Sequence, residues 1–169
     1  MQRKWQILPV AILLAAFLVA YLVPIALASP GRDANAEAEV QIHAVLDSQL
    51  LAWNRGDIPG YMNGYWNSNE VEFIGSGGII RGWKPALDRY KRLFENPGAM
   101  GQLSFTTLEI HVACPNSAYV VGEYKLLRST GAFSGVFTLQ FRKFSEGWLI
   151  VVDHTTGYPN KAQTRPANP

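Results

Sequence analysis

Four strand-like runs, Gln102–Ala113, Ser117–Arg128, Phe133–Phe144 and Trp148–Thr155, follow one another with only Cys114-Pro115-Asn116, Ser129-Thr130-Gly131 and Ser145-Glu146-Gly147 between them. A parallel connection needs a crossover of roughly a dozen residues or more, so links this short permit only antiparallel hairpins. Side chains alternate across a strand. Phe137, Leu139 and Phe141 therefore share one face of the third run, with Thr138, Gln140 and Arg142 on the other. Strict alternation in the fourth run puts Trp148, Ile150, Val152 and His154 on one face, so a row of core-type residues ends in an imidazole. That end is where a cavity is expected to open.

A sheet with one apolar face needs a cover, and the sequence before Gly101 supplies helices. Ile42, Val45, Leu46, Leu50 and Trp53 make one stripe of a 3.6-residue repeat. Gln49 interrupts that stripe where an apolar side chain is expected, so it needs a buried partner or a wet cavity. Gly56 suits the left-handed residue that closes a helix, and Asp57 suits the cap of the next. Pro59 fits a first helical turn, and Tyr61, Met62, Tyr65 and Trp66 are expected to form its aromatic face. The tripeptide Arg55-Gly56-Asp57 is explained by this helix exit and entry, without an adhesive role.

The period changes to two at Val71–Ile74, and Gly75-Ser76-Gly77-Gly78 turns the chain into Ile79-Ile80-Arg81, a small hairpin. Because a strand and not a helix follows these glycines, they form a turn and not a phosphate cradle. Trp83, Leu87, Tyr90 and Phe94 then mark a third helix. Lys84, Asp88, Arg89, Lys91 and Arg92 make its solvated side, and Asn96-Pro97-Gly98 ends it.

Met1 to Lys4 is basic, and Ile7–Ala28 is apolar apart from Pro9, Tyr21 and Pro24, the form of an export signal. Ala26-Leu27-Ala28 resembles a cleavage site, while the length of the run also suits an uncleaved membrane anchor. Residues 1–28 are read as signal peptide or anchor, 29–35 as linker, 36–157 as one domain and 158–169 as a loose tail. Export, periplasmic or extracellular, is expected either way, with the membrane involved only through residues 1–28. Of the 15 Lys+Arg, Arg3 and Lys4 belong to that leader, leaving 13 against 13 Asp+Glu. A neutral domain lacks the basic footprint of a nucleic-acid binder. The single cysteine, Cys114, excludes an internal disulfide and is expected to be a buried, inert thiol.

The segments AWNRGDIPGYMNGYW, IIRGWKPALDRYK, GVFTLQFRKFSEGW and VVDHTTGY, taken with the element order, resemble the SnoaL-like, domain-of-unknown-function branch of the nuclear transport factor 2-like superfamily. The resemblance covers roughly Ala36 to Gly157. It implies an α+β cone, the cystatin-like roll, with three N-terminal helices packed on a strongly bent antiparallel sheet that carries a small hairpin. It also implies a mostly apolar pocket at the open end, and homodimers through the sheet. A gapless comparison with the steroid isomerases of that superfamily places their basic aspartate at Phe73 and their oxyanion tyrosine at Gln49. Phe73 takes no proton and Gln49 is no acidic phenol, which speaks against isomerisation by that route.

The candidate pocket residues are Gln49, Trp53, Tyr65, Trp66, Phe73, Tyr90 and His154. The aromatics suit a flat apolar molecule, with the tyrosine hydroxyls to orient it. His154 is either a structural histidine or a general acid/base. Asp153 is next to it in sequence but is expected on the opposite face. Glu109 and His111 share a strand face without a third ligand, so no metal is expected, and no cofactor motif is present. Glu123 and Arg142 are expected to pair across neighbouring strands. Three functions remain: an exported domain that binds a small apolar molecule; a cofactor-independent lyase or isomerase using His154 on a small carbonyl compound; and a dimerisation module without ligand.

Overall fold

The computed structural model describes residues 30–95 and 100–158. Helices α1 (Pro30–Asn54), α2 (Ile58–Met62) and α3 (Trp83–Leu93) pack on strands β1 (Glu72–Gly75), β2 (Gly78–Arg81), β3 (Gln102–Cys114), β4 (Ser117–Arg128), β5 (Gly131–Phe144) and β6 (Gly147–Gly157). The strands make one open sheet in the order β2-β1-β6-β5-β4-β3. All neighbours are antiparallel except β1 and β6, which run parallel. The hairpin therefore extends the meander at the β6 edge.

The α1 stripe is buried as its spacing requires, with Ile42 and Leu46 fully covered and Trp53 close to it. These residues share one core with Val120, Phe137, Leu139, Phe141, Trp148 and Ile150 from the inner face of the sheet. Register shifts bend the sheet around the helices: one lies between Thr106 and Glu109, where Thr107 takes a φ of 54°. Another lies between β5 and β6. Asp57 caps α2 by accepting the Gly60 N–H, and its other carboxylate oxygen receives the Arg55 guanidinium. The RGD sequence is thus consumed in a helix start.

Several expectations need correction. Residues 30–35 are not linker but the first turns of α1. The second helix stops at Met62, because Gly64 and Trp66 bond through their backbones to Ile150 of β6, making Tyr65 and Trp66 extended. Cys114 is exposed, its thiol beside Asn116 Oδ1 at 3.0 Å, because the β3–β4 hairpin ends beyond the core. Glu123 lies opposite Val136 and Arg142 opposite Ser117, so the register separates the pair expected to bond. Residues 1–28, expected to be a signal peptide or anchor, the expected tail from residue 159, and Asn96-Pro97-Gly98, expected to end the third helix, lie outside the described residues. Among the described residues no helix is long and apolar enough to cross a membrane.

Candidate functional site

A cavity of about 370 Å³ lies between the inner face of the sheet and the helices. Gln49 and Trp53 from α1, Tyr61 from α2, Tyr65 beyond it and Tyr90 from α3 form the helical wall. Phe73 from β1, Leu139 from β5 and Asp153 from β6 belong to the sheet wall, and the Gly75–Gly78 turn forms part of the rim. The aromatic rings hold one another edge-on: Trp53 meets Tyr61 with centroids 5.1 Å apart, Tyr61 meets Tyr90 at 5.6 Å, and Tyr65 tilts over Phe73 at 4.7 Å. Such contacts fix ring positions as well as burying area.

Gln49, the amide in an apolar stripe, is 2% exposed and donates through Nε2 to the Tyr61 carbonyl at 3.1 Å. It fits because Gly64 lies directly above it: a Cβ there would stand 2.6 Å from Gln49 Cδ and Nε2. Gln49 therefore ties α1 to the α2 segment and presents part of its amide to the cavity wall.

The polar centre of the cavity is Asp153, 7% exposed. Tyr65 OH donates to its Oδ2 at 2.7 Å and Thr155 Oγ1 to its Oδ1 at 2.6 Å. Tyr61 OH is 3.1 Å from Tyr65 OH. A hydroxyl has one proton. Tyr65 uses its own on Asp153, so Tyr61 is the donor to Tyr65, and a directed chain runs Tyr61 to Tyr65 to Asp153. Burial holds the Asp153 carboxyl above its ordinary value, against the opposing pull of the Thr155 and Tyr65 hydrogen bonds and the His154 charge. Burial likewise raises Tyr61, Tyr65 and Tyr90, and the nearby Asp153 charge raises them further. All three phenols stay neutral donors at ordinary pH.

The structure brings Gln49, Trp53, Tyr65, Phe73 and Tyr90 together on the cavity wall but leaves out the other two candidates. His154 is exposed on the outer face. The cause is one extra residue: Phe141 pairs with Ile150 and Gln140 with Val152, so Val151 has no partner and bulges. Ile150, Val151 and Asp153 are buried in consequence, and the alternation beyond the bulge is inverted. Gln49 and His154 thus lie on opposite sides of the sheet, and the shared hollow expected for them belongs to Gln49 and Asp153. Trp66 faces outward because it follows the inward Tyr65 in extended chain, and it stacks on Phe144 at 5.2 Å beneath Arg142. Glu109 and His111 stand 3.7 Å apart on exposed side chains, and no group of three candidate metal ligands exists among the described residues.

Sequence reading missed Asp153, Tyr61 and Thr155 as cavity residues. The adjacent pair Val151-Val152, where alternation calls for one apolar and one polar residue, was the available signal for the bulge.

Three helices on a bent, mostly antiparallel sheet with a cavity at the centre define the α+β roll of the nuclear transport factor 2-like proteins. Residues 42–159 match the SnoaL-like domain, and the chain belongs to that family. An NTF-2 like protein of unknown function from Shewanella oneidensis MR-1 is 36% identical, with a TM-score of 0.68 over 70% of this chain and 98% of that one. A ketosteroid isomerase-like protein from Erwinia carotovora atroseptica SCRI1043 is 20% identical, with a TM-score of 0.62 over 74% of this chain and 98% of the other. A protein of unknown function with a cystatin-like fold from Nostoc punctiforme PCC 73102 is 12% identical, with a TM-score of 0.62 over 74% of this chain and 94% of that one. These last two show the shared fold alone. Among curated protein sequences, none matches the chain significantly.

Proposed function

We propose that this domain binds a small, flat, mainly apolar molecule in the cavity and that residues 1–28 direct it out of the cytoplasm. The observation that carries the binding reading is Asp153, the one carboxylate among the described lining residues, set among Trp53, Tyr61, Tyr65, Phe73 and Tyr90 in a cavity of about 370 Å³. Apolar walls with a few convergent polar groups are the usual make-up of a small-molecule site. The rings supply the stacking surface, and the Asp153 carboxylate accepts a hydrogen bond from a hydroxyl of the guest. An association module without ligand is expected to have a filled cone, and the cavity counts against that reading. Native mass spectrometry of the protein purified from its own host tests both halves. Retention of a small molecule and a mature N-terminus near Ser29 support the proposal; a ligand-free full-length chain in the cytoplasmic fraction overturns it.

The raised pKa of Asp153 favours a second reading, a cofactor-independent enzyme of the isomerase or lyase kind. A carboxylate shifted towards neutrality by an apolar site is suited to take a proton and return it. In that reading Asp153 replaces the exposed His154. Asp153 removes a proton from carbon beside a carbonyl, the electron pair moves to the carbonyl oxygen, and the proton is returned to the same or a neighbouring carbon. Deuterium incorporation from D2O into a bound aryl ketone, lost in Asp153→Asn and kept in His154→Ala, distinguishes this reading from binding alone.

A further inference from the structure

Among the described residues that line the cavity, Arg89 is the one cation. Its neighbours on α3 have evident roles: Lys84 bonds Asp88 at 2.8 Å, while Lys91 and Arg92 stand in the last turn, where positive charge favours the helix end. Arg89 turns instead over the rim. Its guanidinium lies against the β1–β2 turn, where a Cβ on Gly77 would come within 3.3 Å of Nη2. Among the described residues it forms no ion pair with any carboxylate.

The cavity is therefore electrically polarised. A buried acid stands in its wall on β6, and a guanidinium that no carboxylate among the described residues pairs with stands at its rim between α3 and the hairpin. A guest carrying a carboxylate is repelled when that group points at Asp153 and attracted when it points at Arg89. Guanidinium binds carboxylate through paired N–H donors, a match that a neutral ester cannot reproduce.

We propose that the cavity selects an apolar aromatic acid, bound with its carboxylate at the rim on Arg89 and its neutral end towards Asp153. This rests on the binding reading above and adds to it a charge and an orientation. The Gly75-Ser76-Gly77-Gly78 turn contributes by keeping side-chain bulk off the rim. Gly77 in particular leaves the guanidinium room to lie over the opening.

The test uses 2-naphthylacetic acid and its methyl ester as probes, titrated calorimetrically against the wild-type domain, Arg89→Met and Arg89→Lys. The acid is expected to bind wild-type protein about tenfold tighter than the ester. Arg89→Met removes that preference by weakening the acid and leaving the ester unchanged, and Arg89→Lys restores part of it. Raised salt narrows the difference in wild type and in Arg89→Lys, where the positive charge is kept, and changes nothing in Arg89→Met. Equal binding of acid and ester, unaltered in Arg89→Met, overturns the charge selection while leaving the binding reading intact. Failure of both probes to bind the wild-type domain contradicts the binding reading itself and this proposal with it. Because Arg89 is exposed, loss of folding does not confound the variants, and the unchanged ester affinity verifies this within the experiment.

Discussion

The Tyr65 hydroxyl donates to Asp153 over 2.7 Å, although 88 residues separate the two in the chain. The bond joins the segment after α2 to the strand that follows the Val151 bulge, so it exists only when the roll has closed. It also opposes the burial that raises the Asp153 pKa. Stability, proton affinity and the polarity of the cavity meet in this one contact.

Tyr65→Phe removes a donor from a buried carboxylate. Asp153 already holds its proton more tightly folded than unfolded, so stability falls as pH rises from its ordinary 3.8 through the raised folded value, then levels. Loss of the Tyr65 hydrogen bond moves the folded value higher still. The variant is expected to cost roughly 1.5–3 kcal/mol at pH 8, and less at pH 5, where more Asp153 is protonated. Urea unfolding at the two pH values measures the difference.

Asp153→Asn keeps the shape of the group and removes its titration. Its stability is expected to stay flat over the pH window in which the wild type declines, and to exceed the wild type most at the alkaline end. A series of thermal melts from pH 4 to pH 8 checks the crossing slopes.

Gly64→Ala places a methyl group against the Gln49 amide, which is buried and bonded to the Tyr61 carbonyl. Overpacking of this kind costs about 1–3 kcal/mol. Because the clash is with Gln49 itself, the double variant with Gln49→Ala is expected to lose less than the sum of the single losses. Chemical denaturation of the four proteins in the cycle gives the coupling.

Asp57→Ala removes the cap of α2 and the Arg55 partner together. A lower melting temperature is expected, with no change in probe binding. Arg55→Ala, which leaves the Gly60 cap bond in place, lowers it less.

The element order, the antiparallel meander and the buried faces of α1 and β5 were legible because each rests on a repeat that spans many residues. Ile42, Leu46 and Trp53 follow the helical period, and Phe137, Leu139 and Phe141 the strand period, all the way into the core. The site was less legible because it depends on single-residue departures from those periods. One unpaired residue, Val151, exchanged His154 for Asp153 at the cavity wall. One early helix stop at Met62 turned Trp66 outward while keeping Tyr65 inside. Gln49 was visible because it broke a pattern. Arg89 was not, because on a solvated helix face nothing in the sequence distinguishes a cation that turns over a rim from one that does not.

The central claim is that the hollow bounded by Gln49, Phe73, Tyr90 and Asp153 receives a small apolar guest. Amide chemical shifts of the isotopically labelled domain, followed during titration with 2-naphthol, test it most directly. Saturable shifts are predicted at Gln49, Tyr65, Phe73, Tyr90 and Asp153, with Trp66 and His154 unmoved. Shifts confined to the outer face around Trp66 and His154, or none at any residue of the hollow, would contradict it.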